Sequence, residues 1–434
     1  MSGTDVHTEG AEASLVVNLG CRLNAAEADV VADHLRDADA AGAARTVVVN
    51  TCAVTSAAVA DSRRAVRRAR RDHPDARIVV TGCAAQIDPA AFAALPEADQ
   101  VVGNHEKLLG ATFLDPGTER VRVNDIDSVT ETAPFFIGGS NRGGRHQERT
   151  RAFLQVQNGC DHACTFCIIP RGRGRARSVP AGEVVHHVRA LVRQGYREVV
   201  LTGVDISSWG GDLPGRPALG DLVRRVLRLV PELPRLRLSS MDPAEVDPVL
   251  MEVIANEERF CPYLHLSLQA GDTLTLKRMR RRHTRDDVLE LAEALRARRP
   301  GLSLGADIIA GFPTEDDAMH ETSLALVEAL PVAWLHVFPF SPREGTPAAR
   351  MPAVDGRTVR ARAKALREAG ARAREAHLAG RVGDTDTALF EETGLGRLPD
   401  FSLVEVSTPP APGTLERVRV LSHNGERLLG ETVG

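Results

Sequence analysis

The sequence predicts an α/β protein in three parts: an open parallel sheet, a partial (β/α) barrel and a small terminal β-barrel. Three observations carry this expectation. Short apolar runs alternate with helical stretches over the first third of the chain. Six more strand-and-helix repeats follow between Ala152 and Phe338. From about Leu389 the character changes to short strands separated by turn signals.

In the first part, Leu15–Leu19 (LVVNL), Thr46–Val49 (TVVV), Arg77–Val80 (RIVV) and Gln100–Val102 read as strands. Ala25–Leu35 and Ser56–Arg71 carry helical periodicity, with Asn24 placed as a cap for the first. Strand and helix in alternation make a parallel sheet. Residues 131–148 (ETAPFFIGGSNRGGRHQE) are Gly-rich and polar and read as a linker. The second series has strands at Ala152–Gln157, Glu198–Thr202, Arg235–Ser239, Tyr263–Leu268, Ser303–Ile309 and Ala333–Phe338. Helices lie between them, at Ala181–Gln194, Leu219–Leu229, Asp286–Arg296 and Asp316–Ala329. Such a series suits a barrel whose active face lies at the carboxyl ends of its strands. A long basic helix, Arg357–Leu378, precedes the terminal strands, where Asn424-Gly425 is a hairpin signal. The expected division is a disordered tail at 1–13, a sheet domain at 14–130, the linker, a barrel at 149–379 and a small β-barrel at 380–434.

Composition narrows the function classes. The 434 residues are 43% hydrophobic and 26% charged, which is ordinary for a soluble protein with packed cores. No apolar run reaches membrane-spanning length, and the first residues lack a basic stretch followed by an apolar one. A cytoplasmic location with no membrane partner is expected. A net charge of −4 weighs against a pure nucleic-acid-binding module.

Seven cysteines, an odd number, argue against a disulfide framework. Cys21, Cys52 and Cys83 each follow one of the first three strands and are spaced 31 residues apart. In an open parallel sheet the loops beyond the strand carboxyl ends gather on one edge, so three distant thiols meet there. Cys160, Cys164 and Cys167 form a C-x3-C-x2-C run directly after a strand. Three thiolates hold three irons of a [4Fe–4S] cluster and leave the fourth open, where the amino and carboxylate groups of S-adenosylmethionine can chelate. Zinc is the alternative, with His162 completing its set. Cys261 has no partner in sequence and reads as a core or loop thiol.

The run CDHACTFC, with Phe166 before its last cysteine, resembles the radical-SAM signature. Its surroundings, QNGCDHACTFCIIPRGRGRARSVP, resemble the methylthiotransferase branch. So do NLGCRLNAAEAD, VVNTCAVTSAA, VTGCAAQ, VVLTGVDISSWG, LRLSSMDP, LHLSLQAGD, GADIIAGFPTE and FPFSPREGTPAARMP, over nearly the whole chain. The resemblance implies that Cys160, Cys164 and Cys167 hold the radical-SAM cluster. It implies that Cys21, Cys52 and Cys83 hold an auxiliary [4Fe–4S] cluster carrying the sulfur to be inserted. S-adenosylmethionine contacts are expected at Phe166, Gly203, Asp205, Ser239, Gln269 and Asp307. The small terminal barrel resembles the RNA-binding barrel called TRAM. Arg171, Arg173, Arg175, Arg177, Arg280 and Arg281 are the expected RNA contacts, with further arginines crowding Ser56–Arg71.

The implied reaction is radical methylthiolation of C2 of an adenosine beside the tRNA anticodon, with no DNA partner and an electron donor protein left open. NTCAVTSAA, IIPRGRGRARSVP and LHLSLQAGD most resemble the branch acting on N6-threonylcarbamoyladenosine. The isopentenyladenosine branch, the branch modifying a ribosomal-protein aspartate and a noncatalytic iron–sulfur tRNA-binding protein are the other readings.

Overall fold

A computed structural model describes residues 4–7, 13–115, 117–132, 136–137, 150–392 and 394–433. The first sheet runs in sequence order: β1 (Thr4–His7), β2 (Leu15–Asn18), β3 (Thr46–Thr51), β4 (Arg77–Gly82), β5 (Gln100–Val102) and β6 (Val121–Arg122). β2 to β6 are parallel, and β1 pairs antiparallel with β2. Every residue of β3 is buried, because helices cover both faces of the sheet. The period-2 alternation shows in the two cores. Val16, Val48, Val79 and Val102 pack with the Arg22–Ala40 helix, while Val47, Val49, Ile78, Val80 and Val101 pack with the Ser56–Asp72 helix on the other side.

Three details depart from expectation. Thr4–His7 is a strand where a disordered tail was expected, and the rest of that segment, other than Ala13, lies outside the described residues. The first helix starts at Arg22 with Cys21 as its N-cap residue, so Asn24 is not the cap. Its amide nitrogen instead donates to Leu19 O (2.8 Å) and Thr51 O (3.0 Å), tying the ends of β2 and β3 together. Most of the expected linker is also outside the described residues, but Phe136–Ile137 form β7, an edge strand antiparallel to β8.

The central part is a row of six parallel strands interleaved with helices. These are β8 (Arg151–Asn158), β10 (Glu198–Gly203), β11 (Arg235–Leu238), β12 (Tyr263–Gln269), β13 (Ser303–Ala310) and β14 (Val332–Pro339). A short β9 (Arg177–Ser178) folds back onto β8. Between β11 and β12 the pairing is reduced to two parallel bridges, Leu236–Phe260 and Met241–Leu266. One apolar core, from Leu154 and Val199 through Leu264 to Ile308 and Leu366, lies between the outer face of this wall and its helices. β14 and β8 do not pair, so the barrel is partial, as expected.

The terminal strands β15 (Thr385–Glu392), β16 (Leu395–Arg397), β17 (Leu403–Val406), β18 (Leu415–His423) and β19 (Leu428–Thr432) close into a five-stranded barrel. It sits against the amino ends of the central strands. Arg235 donates to Arg397 O (3.1 Å) and to Thr387 O, Arg237 to Pro399 O (3.0 Å) and Ser303 to Asp400 O (2.6 Å). Phe401 stacks on Tyr263 with ring centroids 4.5 Å apart. Buried Glu198 receives Arg237 at 2.8 Å. Burial would raise its carboxyl, but the Arg237, Arg151 and Arg235 charges outweigh this and hold it at about 2. This leaves the carboxyl ends of the strands as the open face.

Candidate functional site

The Cys160–Cys167 loop leaves β8 at that open face. Its ends are pinned from several sides. Cys160 N donates to Gly174 O (3.0 Å), and Thr165 binds Met279 O through its N–H (3.1 Å) and Arg278 O through its hydroxyl (2.8 Å). Ala348 N donates back to Thr165 O (2.9 Å). Phe166, expected beside the cofactor, sets its ring edge-on to Phe312 at 6.4 Å and packs with Leu276 and Met279. It anchors the loop while the three thiols stay half-buried. Burial, then the Asp205 charge, raises the Cys160 thiol; burial and Cys164 push Cys167 up to about 11. A cation or metal beside such thiols favours their thiolates.

The donor set fits an iron–sulfur cluster better than zinc. His162, the fourth ligand a zinc site would need, turns its Nε2 to Asp205 (2.7 Å) and Glu245 (3.8 Å). Those hydrogen bonds raise its imidazole to about 10 and occupy the nitrogen that a zinc ion would need. Arg281 points Nη1 at Cys164 Sγ (3.7 Å), and its buried Nε has no hydrogen-bond partner among the described residues. Ser239 Oγ, at the carboxyl end of β11, is likewise buried and unpartnered. An orphaned atom on the arginine that reaches Cys164, and another at the carboxyl end of β11, fit a polar guest such as S-adenosylmethionine.

The first sheet places its three cysteines as the spacing implies. Cys21 follows β2, Cys52 follows β3 and Cys83 follows β4, on three neighbouring strands. Gly20 has φ 106°, and a Cβ there would lie 2.8 Å from Cys52 Sγ, so glycine is needed for the β2 turn to approach Cys52. Burial is the main cause that lifts the Cys52 thiol to about 11, and the Cys83 and Cys21 thiolates add to it. Below lies a charged cluster the sequence did not reveal. Glu27 pairs with Lys107 (2.7 Å) and with Arg173, and Lys107 also reaches Asn50 (3.1 Å) and Asn104 (2.7 Å). Arg173 comes from the central part, beyond the other cysteine loop, and donates to Asn24 Oδ1 (2.6 Å) and Cys83 Sγ (3.1 Å). The helix that follows the Cys160–Cys167 loop therefore packs directly on the turn that carries Cys83.

The other expected cofactor contacts ring the same face. Gly203 ends β10 against Gln157, Asp205 follows it, and Gln269 ends β12 with φ 70°, a conformation that a non-glycine residue holds only under constraint. Asp205 accepts from Ser208 (2.5 Å) and sits 3.7 Å from Cys160 Sγ. Asp307 lies farther from the loop, at the middle of β13. It receives His265 Nε2 (3.0 Å) and His336 Nδ1 (3.1 Å), and these bonds outweigh burial to hold its carboxyl at about 2. Tyr263 completes this polar layer, 2.9 Å from His265 Nδ1. Gly305 makes room for it, since a Cβ there would sit 2.2 Å from the Tyr263 hydroxyl.

Known proteins place this arrangement. The radical SAM superfamily model matches residues 154–327, and the model described as uncharacterized protein family UPF0004 matches residues 14–103. The threonylcarbamoyladenosine tRNA methylthiotransferase MtaB of Rickettsia prowazekii is 44% identical, with 94% of each chain covered. The chain belongs to the radical-SAM methylthiotransferase family. MtaB of Chlamydia pneumoniae is 35% identical, over 96% of this chain and 97% of that protein. The tRNA-2-methylthio-N(6)-dimethylallyladenosine synthase of Cereibacter sphaeroides is 33% identical over the same shares. Among solved structures, the radical S-adenosylmethionine methyltransferase TsrM from Kitasatospora setae shares the fold, with TM-score 0.56, 18% identity, and 75% of this chain and 72% of that one covered. This methylthiotransferase is an enzyme whose cofactors are S-adenosylmethionine and [4Fe–4S] clusters.

On the methylthiotransferase surface, the expected RNA contacts divide in two. Arg171, Arg175 and Arg280 are exposed. Arg173, Arg177 and Arg281 are not free for RNA. Arg173 is 2% exposed within the Glu27 cluster, and Arg177 is buried, donating to Val129 O (3.2 Å) and Arg173 O (2.9 Å). Arg281 is held by Asp242 (3.2 Å) and Ser267 O (2.9 Å). Arg171 and Arg173 lie two residues apart on the short Ile169–Arg173 helix and so project from different sides of it. Arg64, Arg67, Arg68 and Arg71 are exposed on the Ser56–Asp72 helix. Cys261 is buried beside Glu198, at the amino end of the barrel and away from both thiol groups. No helix among the described residues is long and apolar enough to cross a membrane.

Proposed function

We propose that this methylthiotransferase modifies C2 of N6-threonylcarbamoyladenosine beside a tRNA anticodon, giving the 2-methylthio nucleoside. One observation carries the reading: the chain holds two separate cysteine triplets, one in the loop after β8 and one at the ends of β2, β3 and β4, and Arg173 just beyond the first reaches Cys83 of the second. Cys160, Cys164 and Cys167 would hold the radical-SAM cluster, and Cys21, Cys52 and Cys83 the auxiliary one. When bound, the first cluster and S-adenosylmethionine supply a radical strong enough to take the adenine C2 hydrogen, and the second supplies the methylated sulfur. The chain's own residues position and exclude. Thr165 and Phe166 hold the cysteine loop; Asp205 and Ser239 offer an acceptor and a hydroxyl to S-adenosylmethionine.

The N6 substituent decides the subtype. The barrel interior offers Tyr263, His265, Asp307 and His336 in one polar layer, and the His336 side chain is 59% exposed. A threonylcarbamoyl group brings a hydroxyl, a urea and a carboxylate that can pair with such a layer. A dimethylallyl group brings no polar atom to it, so the exposed side of His336 would lose water without gaining a partner, at a cost of about 1–3 kcal/mol. The exposed arginines and the terminal barrel supply the RNA-holding surface in this reading, and the anticodon loop presents an already unstacked base. Purified enzyme should therefore methylthiolate an anticodon stem-loop bearing N6-threonylcarbamoyladenosine at least about tenfold faster than one bearing the isopentenyl nucleoside. Equal rates, measured by nucleoside mass spectrometry, would reject the subtype.

A further inference from the structure

The Glu27, Lys107 and Arg173 cluster is buried to within 2% of full exclusion from solvent at every residue. It holds one carboxylate and two cations. One positive charge is thus left over within the hydrogen-bonded cluster, since buried Glu106 makes no ion pair with it, and an unbalanced buried charge is heavily disfavoured. Cys83 Sγ is what the surplus touches: Arg173 Nε donates to it at 3.1 Å and Asn104 Nδ2 at 3.8 Å. A [4Fe–4S] core with two positive charges, held by three thiolates, carries one negative charge in total. The leftover cation and the cluster therefore balance.

Arg173 also belongs to the other half of the machinery. It lies six residues beyond Cys167, on the helix Ile169–Arg173 that continues the radical-SAM cysteine loop. Asn104 grips the same stretch, donating to Gly172 O at 2.6 Å. Gly172 itself would bring a Cβ to 3.3 Å from Cys83 Cβ, so the helix lies hard against that cysteine.

We infer that Arg173 is a positioning residue that completes the auxiliary cluster site in trans from the radical-SAM part, balancing the cluster's charge and donating N–H to the Cys83 sulfur. The N-terminal cysteines then keep their cluster only while the radical-SAM loop is docked on them. Hydrogen bonds to a cluster's sulfurs and nearby charge set its potential, and second partners of this kind govern metal retention. The inference rests on Cys21, Cys52 and Cys83 being cluster ligands, and the test separates the two claims.

The full chain carrying Cys160→Ala, Cys164→Ala and Cys167→Ala, reconstituted anaerobically, should hold about four irons. If that parent holds none, the ligand assignment falls and this inference with it. Adding Arg173→Met removes the surplus charge and should weaken iron retention about tenfold or more. Adding Glu27→Gln to that variant restores one net buried positive charge, on Lys107, and should recover at least about half of the iron. Arg173→Lys should keep iron yet titrate at a lower midpoint potential, because its charge stays while the Nε–H to sulfur is lost. An Arg173→Met protein with the parent's iron content and potential overturns the inference. So does a loss of iron that Glu27→Gln fails to reverse, since that marks a merely structural arginine.

Discussion

The Cys164→Ala protein, reduced in the presence of S-adenosylmethionine, will form no 5′-deoxyadenosine above the protein-free control, a loss of at least about a thousandfold. Cys164 is the middle thiol of the loop, half-buried, with Arg281 Nη1 3.7 Å from its sulfur. Alanine removes one of three ligands from a site that has no spare: His162 is committed to Asp205, and Cys261 is at the far end of the barrel. The loop itself should survive. Its anchors are Thr165 and Phe166, whose contacts to Met279, Arg278 and Phe312 do not involve the thiol. The variant should therefore keep its fold and its auxiliary cluster while losing S-adenosylmethionine cleavage, read by chromatography of the nucleoside products and by iron content. Wild-type levels of 5′-deoxyadenosine from this variant would remove Cys160–Cys167 from the proposed role.

The Cys52→Ala protein separates the two sites from the other side. Cys52 follows β3 directly and is buried against Gly20 and Ser62, whose hydroxyl takes its N–H at 3.2 Å. Nothing in the Cys160–Cys167 loop binds to it. Cleavage of S-adenosylmethionine should stay within about twofold of wild type, since the contacts that anchor the Cys160–Cys167 loop at Thr165 and Phe166 do not involve Cys52. The methylthiolated nucleoside should fall at least about a hundredfold, because two thiols do not hold the sulfur-supplying cluster. A Cys52→Ala protein that still methylthiolates would show that the N-terminal thiols are structural.

Much of this was legible in the sequence because the informative signals were periodic or closely spaced. Continuous apolar runs in TVVV and RIVV give strands buried on both faces, and cysteines at equal spacing land on neighbouring strand ends. The C-x3-C-x2-C run needs no long-range information at all. Long-range partners were invisible. Glu27 finds Arg173 across 146 positions and Lys107 across 80, and nothing local to any of them marks the pairing. Arg173 therefore read as one more member of a basic run. Asn24 misled for a related reason: an asparagine beside a helix start reads as a cap, yet its side chain reaches Thr51 and Arg173 instead. The His265–Asp307–His336 layer left a fainter trace. Polar residues at every second position of YLHLSLQ mark a strand face turned to a polar interior, and VAWLHVFP adds only His336, so only the fold brings the three side chains together.

The most direct test of the central claim is mass spectrometry of tRNA nucleosides from cells with and without this gene. The account predicts loss of 2-methylthio-N6-threonylcarbamoyladenosine, with the unthiolated precursor accumulating in its place. An unchanged level of that nucleoside in the deleted strain would contradict it, and would turn attention to the isopentenyl nucleoside and the ribosomal-protein aspartate.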